Sequence, residues 1–521
     1  MQLVRNFATV GAFTAASRVL GFARDILVAA TLGAGPIADA FFVAFKLPNL
    51  FRRLFAEGAF NSAFVPLFAR ARAEEGDAGG EAFASAVLAW LLAVLLTVTA
   101  AGMLATPVLV LALAPGFEAE DTLSLTTLYT RICLPYLAAM SLVAFFSGIL
   151  NTLNRFAVAA FAPILLNVVL ITALVAAQAM GLAPAAAAAV LSVGVFVAGV
   201  LQALLLWRAV ARADVRLTLA RPRPSPRLKR LLLLGLPGVA AGGITQINIV
   251  VGTIVASYWP GAVSHLYYAD RLYQLPLGVV GIAIGVALLP DLSRRLRAGD
   301  VGGALWTQNR ALEFALMLTL PAAAALIVVP FEIVVTLFER GEYGRDDAAM
   351  TAAALSAYGF GLPAFVLIKV FSPSYFARED TATPMAFAGI SMVVNVAGSI
   401  GLALLLAEDG LAHVGIAAAT SLAGWVNALL LFVGLVRRGD FRPDATLGWR
   451  ALGFLAASLA LMIAAALIAQ GLDAWFFASG TLTATLALGL LVAGSVAIFA
   501  VVCEVSGAMG VRDLIRAFRR G

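Results

Sequence analysis

Between positions 17 and 57 the chain sets Arg18, Arg24, Asp25, Asp39, Lys46, Arg52, Arg53 and Glu57 into sequence that is otherwise apolar and of membrane-spanning length. A charge inside a bilayer costs several kcal/mol unless it faces a wet cavity or a partner, so the default reading of these residues is an internal polar site. Arg18 falls about 12 residues into the first apolar run, roughly 18 Å from its start and too deep to snorkel comfortably. Arg18 and Asp25 are two turns apart on one face, with Arg24 roughly 120° round the helix. An internal ion pair that holds helices together is the competing reading for Arg18 and Arg24, and the stronger one for Asp25. Asp39, Lys46, Arg53 and Glu57 recur at i, i+7, i+14 and i+18, all within about 40° on a regular helix, so one face of the second run is polar along its length. Pro48 and Gly58 bend or loosen that helix, which leaves open whether Arg52 or Arg53 turns inward or whether both snorkel to the cytoplasmic surface. Asp39 lies near the outer end, where solvation is an alternative to a binding role.

Further along, HLYYADRLYQLP brings Asp270 and Arg271, and Lys369, Arg131 and Asn395 with Ser399 add polar groups to other apolar runs. Arg131 reads as structural or interfacial. Arginine predominates over acid in this set, and a guanidinium fork matches phosphate or carboxylate bidentately, so the implied cargo is an anion, most naturally a phosphate or diphosphate. An ion-driven drug pump would show lone buried acids instead. The seventh run, GLPGVAAGGITQINIVVGTIVA, has no acid, only Gln246 and Asn248.

Enzyme chemistry finds little support. The two histidines, His265 and His413, lie far apart in sequence near expected outer loops and read as isolated, so they build neither a metal site nor a Ser-His-Asp arrangement. Cys133 and Cys503 sit in separate apolar runs and read as small buried hydrophobes. No cofactor is expected.

The 521 residues are 62% hydrophobic and 12% charged, against about 25% charged in soluble domains, which indicates an all-α polytopic membrane protein. At ~20 apolar residues per helix the chain holds fourteen spans, near 7–32, 36–66, 83–112, 123–150, 157–179, 184–210, 231–258, 266–290, 306–336, 349–376, 383–405, 411–436, 450–470 and 480–504. The first two and the eighth are the least apolar. Basic residues concentrate at every second connection and at both ends, which places both termini in the cytoplasm and accounts for the net charge of +6 without nucleic acid. The N-terminus reads as an uncleaved first span.

Sliding the chain against itself by 228 residues pairs Gly33 with Gly261, Pro48 with Pro276, Gly116 with Gly344, Leu134-Pro135 with Leu362-Pro363 and Asn167 with Asn395. Six spans per repeat is an even number, so the copies share one orientation, related by a pseudo-twofold axis along the membrane normal. The expected organisation is an N-terminal lobe at 1–212, a basic cytoplasmic linker at 213–230, a C-terminal lobe at 231–440, and two further helices with a basic tail at 441–521. The linker is expected to skirt the surface near anionic headgroups.

The segments SRVLGFARD, GAGPIADAFFVAFKLPNLFRRLFAEGAFNSAFVP, YYADRLYQLPLGV and NTLNRFAVAAFAPILLN resemble the bacterial MurJ (MviN) lipid II flippases of the multidrug/oligosaccharidyl-lipid/polysaccharide exporter superfamily, over essentially the whole chain. The resemblance implies two six-helix lobes around a central cavity, with the two C-terminal helices forming a groove for an undecaprenyl tail. It also implies alternating access that carries a diphosphate-linked peptidoglycan precursor from the cytoplasmic to the periplasmic leaflet of the inner membrane. By matching motif it assigns substrate binding to Arg18, Arg24, Arg52 and Arg271, with Asp39 as a further candidate, and it favours Arg52 over Arg53; Lys46 and Arg53 stand as substrate-binding candidates on the polar face of the second run. Asp25, Glu57, Asp270, Lys369 and Asn395 are expected in supporting or coupling positions. Lipid II, membrane lipids and cell-wall synthesis enzymes are the partners implied. Some relatives resemble sodium-coupled transporters with acids in the seventh and eleventh spans; here those spans offer only Gln246, Asn248, Asn395 and Ser399, which leaves membrane potential or another ion as the driver. The competing functions are flipping of another polyprenyl-linked saccharide and, from a different class, a membrane-embedded enzyme on polyprenyl diphosphates or a scaffold for cell-wall enzymes.

Overall fold

The computed structural model describes residues 2–51, 60–117, 120–219, 221–477 and 480–508. Among these the chain is all helical, and the one β-bridge joins Arg340 to Tyr343. In order the helices are α1 (Gln2–Leu32), α2 (Pro36–Phe51), α3 (Phe60–Leu104), α4 (Thr106–Leu113), α5 (Glu120–Cys133), α6 (Tyr136–Thr152), α7 (Phe156–Ala179), α8 (Pro184–Ala211) and α9 (Pro226–Ala256). They continue with α10 (Ala262–Arg297), α11 (Val301–Val328), α12 (Pro330–Phe338), α13 (Arg345–Phe376), α14 (Ala382–Leu405), α15 (Ala412–Arg438), α16 (Ala445–Gly471), α17 (Asp473–Phe477) and α18 (Gly480–Val505).

Local sequence sets many of the helix ends. Ser225, Asp300 and Asp444 cap α9, α11 and α16 by accepting from backbone N–H groups of the first turn. Gly439 ends α15 in the left-handed conformation, φ 74°. Proline restarts the helix at α4 and α12, so the third apolar stretch of each sequence repeat is broken near one end. Gly76, at φ 71° and ψ −170°, divides α3 into two helices that meet at an angle.

Ten helical segments among the described residues are long and apolar enough to cross a membrane, and the chain is a multi-pass membrane protein, as its composition implied. They coincide with ten of the fourteen expected spans. The other four fall on α1, α2, α9 and α10. Here α1 carries Arg18, Arg24 and Asp25, α2 is only 16 residues long, and parts of α9 and α10 have side chains outside the description.

Two compact units are present, Met1–Ser264 with Arg340–Tyr343, and His265–Glu339 with Gly344–Gly521. In the first, α7 packs against α1 and α8, α6 against α3 and α8, and α9 against α3 and α4. Stacked rings of Phe64, Phe68 and Phe83, with Phe145 tilted against them, fill the space between α3 and α6. The linker is strapped along α3: Arg216 N donates to Glu81 Oε1 at 2.8 Å, Thr218 N to Ser85 Oγ at 3.0 Å, and Trp90 Nε1 to the Arg223 carbonyl at 2.9 Å.

In the second unit one core joins α10, α11, α13 and α15 through residues such as Leu292, Leu312, Val370 and Leu431. Another joins α11 and α12 to α16, α17 and α18. Glu313, 3% exposed, bridges Arg310 at 2.6 Å and Arg450 at 2.8 Å, and Arg310 also reaches Asp444 at 2.5 Å, so the C-terminal helices are tied to α11 by charge as well as by packing. Cys133 and Cys503 are both buried free thiols, as read from the sequence.

Where α13, α14 and α15 meet the loops, Arg438 pairs with Asp380 at 2.6 Å and Arg378 with Asp440 at 3.0 Å. The Arg438 hydrogen bond, with support from the Thr383 backbone N–H, holds the Asp380 carboxyl down at about 2. Because the folded value lies below the ordinary 3.8, the stabilisation is fully present above pH ~4 and is lost as pH falls from there towards 2. Arg438→Gln should flatten the acid limb of the thermal midpoint between pH 4 and 2, measured on purified protein in detergent; an unchanged limb would remove this pair from acid stability.

The hairpin Arg340–Tyr343 belongs to the first unit through main-chain contacts with the end of α1. Glu342 N donates to the Ala30 carbonyl at 2.9 Å, and Gly341, at φ 59°, rests against the same carbonyl. Gly33, at φ 67°, passes so close to Glu342 that a Cβ would lie 2.7 Å from its carbonyl oxygen. A second contact has the same form: Gly116 N donates to Ser257 Oγ at 3.0 Å, and a Cβ on Gly116 would meet the Tyr258 backbone at 2.5 Å. The 228-residue shift maps Ala30 onto Tyr258, and each contact joins one repeat's first helix to a loop of the other. Gly33→Ala and Gly341→Ala should each cost about 1–3 kcal/mol and lower the thermal midpoint. Gly35→Ala, whose Cβ would meet nothing within 4 Å, should leave it in place.

Candidate functional site

Arg24 and Asp25 lie about two turns before the end of α1, among the charges that stood out in the sequence. Neighbouring positions on a helix point about 100° apart and do not naturally face each other, yet the long arginine stem wraps back. Nε and Nη2 donate to Asp25 Oδ1 at 3.1 and 2.7 Å. The third contact comes from α7, where Asn167 Oδ1 accepts from Arg24 Nη1 at 3.0 Å. The two side chains are 12% and 4% exposed, so this is a desolvated ion pair with a neutral third member. A second polar tie between α1 and α7 lies two turns further on, from Gln178 Nε2 to Thr31 Oγ1 at 2.8 Å. Arg18, on the same helix, is exposed. The structure thus gathers Arg24 with Asp25 and leaves Arg18 outside that pair.

On α2, Asp39 is fully buried, which corrects the reading that solvent holds its charge. Its two oxygens accept from Gly261 N and Ser264 N, each at 2.7 Å. Those are N–H groups at the very start of α10, the kind that a helix cannot satisfy by itself, so a carboxylate from α2 caps α10. Negative charge at a helix N-terminus is also favoured by the helix dipole. Two turns along, Lys46 Nζ meets the hydroxyl of Thr253 near the end of α9. The two described residues of the polar face are therefore both engaged by the α9–α10 corner. Arg52, Arg53 and Glu57 lie outside the described residues.

In the second unit the Arg271 guanidinium stands over the Tyr267 ring, 4.6 Å from its centroid, a cation–π contact one turn back on α10. Asp270 is held by Gln274, one turn on. Tyr273 stacks on Tyr358 of α13, with ring centroids 5.5 Å apart. Lys369 is exposed, and its stem crosses α10 at Gly281, where a Cβ would lie 2.9 Å from Lys369 Cδ. Asn395 is buried, with Ser399 Oγ 3.5 Å from its Oδ1. Arg131 is exposed.

The histidines are not isolated, contrary to the sequence reading. Their ring centroids are 5.4 Å apart, with His265 Nδ1 3.0 Å from Thr351 Oγ1 and His413 Nε2 donating to the Met350 carbonyl at 2.9 Å. Among the described residues no three or more His, Cys, Asp or Glu side chains converge as metal ligands. Asn167 was visible in the sequence only as the repeat counterpart of Asn395; its contact with Arg24 bridges 143 positions and has no local signature.

A family profile described as lipid II flippase MurJ matches residues 28–496. The chain belongs to this family. A probable lipid II flippase MurJ of Rhizobium meliloti (strain 1021) is 49% identical over 526 residues, covering 100% of the chain and 97% of the relative. A lipid II flippase MurJ of Burkholderia cenocepacia is 36% identical over 485 residues, covering 91% and 90%. Among solved structures, a lipid II flippase MurJ in an inward closed conformation superposes with a TM-score of 0.77 at 26% identity, over 97% of this chain and 99% of that one. An inward-facing MATE family transporter of the MOP superfamily shares the fold, with a TM-score of 0.65 at 18% identity over 81% and 94%. MurJ proteins are transporters, not enzymes.

Removing the Asp39 carboxylate would orphan two buried N–H groups at the start of α10, each worth about 1–3 kcal/mol. Asp39→Ala should therefore lower the thermal midpoint more than Asp39→Asn, which keeps one acceptor; equal midpoints for wild type and Asp39→Ala would show that the cap is dispensable.

Proposed function

We propose that this chain flips lipid II, the undecaprenyl-diphosphate-linked peptidoglycan precursor, from the cytoplasmic to the periplasmic leaflet of the bacterial inner membrane. The observation that carries the reading is family membership along nearly the whole chain. The chemistry that supports it is the set of membrane-depth cations, with Arg24 already desolvated and held by two acceptors. A diphosphate is costly to carry through hydrocarbon, and arginine forks lower that cost by charge-assisted, bidentate bonding.

In this scheme Arg18, Arg24, Arg52 and Arg271 bind the diphosphate, and Lys46 and Arg53 add positive potential. Asp39 acts at one remove, by fixing where α10 begins. The lobes 1–212 and 231–440 enclose the headgroup and rock about it, while the helices of 441–521 shelter the tail. Fourteen spans with both termini cytoplasmic complete the topology. The interior-negative potential favours outward movement of an anion by about 2.3 kcal/mol per charge at 100 mV, which makes it a sufficient driver without a dedicated ion site. Enzymes of cell-wall synthesis that consume the flipped lipid are the natural protein partners.

The test is the amount of lipid II at the outer leaflet of cells depleted of this protein and complemented with wild type, Arg24→Ala or Arg271→Ala. Wild type should restore exposure and both variants, present at normal levels in the membrane, should not. Unchanged exposure on depletion would redirect the cargo assignment to another polyprenyl-linked saccharide.

A further inference from the structure

We propose that Asn167 is a positioning residue for Arg24, holding the guanidinium in its binding pose without cancelling its charge. The inference rests on the reading of Arg24 as a diphosphate ligand and adds a residue to that site. Asn167 is buried, 5% exposed, near the middle of α7. Its amide nitrogen donates to the Ser17 carbonyl of α1 at 2.9 Å, and that bond fixes which way the carboxamide points. The oxygen is thereby presented to Arg24 Nη1 at 3.0 Å. One side chain of α7 thus bonds two residues of α1 that lie two turns apart in the helix.

Only a group that donates and accepts at once can make both bonds. A carboxylate would repel the Ser17 carbonyl and, beside Asp25, would set two negative charges against one guanidinium. An aliphatic side chain would take away the acceptor that Nη1 uses. The second repeat sharpens the assignment. Asn395 occupies the counterpart position, but the counterpart of Arg24 is Gly252, so the asparagine has an arginine to hold only in the first half of the chain.

A helix staple between α1 and α7 would be built in much the same way, and a binding cycle separates the two roles. Lipid II affinity is measured for the full-length protein in nanodiscs, as wild type, Asn167→Ala, Asn167→Asp, Arg24→Ala and the double variant Arg24→Ala with Asn167→Ala. Misplacing a binding group by about 1 Å costs up to roughly a hundredfold, so Asn167→Ala should weaken affinity by about ten- to a hundredfold. In the Arg24→Ala background the same change should have less than about a twofold effect, because there is no guanidinium left to position. The near-isosteric Asn167→Asp should also lose affinity while keeping a cooperative thermal transition, and it carries the test should Asn167→Ala fail to fold. Wild-type affinity in folded Asn167→Asp, or an equal loss with and without Arg24, would overturn the positioning role. A wild-type protein with no lipid II affinity would instead defeat the cargo assignment on which it rests.

Discussion

The seam between α1 and α7 answers to one constraint: a guanidinium taken out of water must be solvated by other polar groups, because apolar surroundings offer it nothing. Arg24 meets that constraint with an adjacent carboxylate and a carboxamide from α7, and the price is that α1 and α7 must stay in register. The Gln178–Thr31 bond further along the same interface serves that register. Asp39 shows the complementary solution for a buried anion, using main-chain N–H groups in place of a cation. The two differ in what they cost to replace: exchanging a buried ion pair such as Arg24–Asp25 for well-packed apolar residues is often neutral or favourable, whereas an apolar residue in place of Asp39 would leave two buried N–H groups without an acceptor.

The second unit follows a different rule. Its cores are apolar clusters, and one of its charge networks lies around Glu313, where two arginines and Asp444 fasten α16 to α11. Packing of α11 and α12 against α16, α17 and α18 adds to that fastening.

Much of this was legible in the sequence. Composition gave the membrane class, and the apolar runs gave the helices, with ten of the expected spans recovered by length and hydropathy alone. Of the isolated charges of α1 and α2, Arg24, Asp25, Asp39 and Lys46 are partnered, whereas Arg18 is exposed. The partners themselves were not legible. Asp39 is held by backbone N–H groups 222 and 225 positions away, and Lys46 meets Thr253 across 207. Neither a backbone donor nor a lone threonine in an apolar helix carries a recognisable pattern. The histidine pair failed for the same reason: α10 and α15 meet only after the second unit has folded, and sequence separation had suggested isolation. The repeat was readable in its glycines and prolines because these mark backbone geometry directly.

Those glycines have a consequence for how the family records its own structure. The contacts of Gly33 and Gly341 with Glu342 and Ala30 are made by main chain, and a main-chain contact is indifferent to the identity of the residues that form it. Ala30 meets the hairpin through its carbonyl, and the Glu342 side chain is exposed, so neither side chain specifies the contact. The information survives only as an absence of Cβ atoms at two turns, and methods that infer contacts from correlated substitutions would pass over one of the tightest junctions in the first unit.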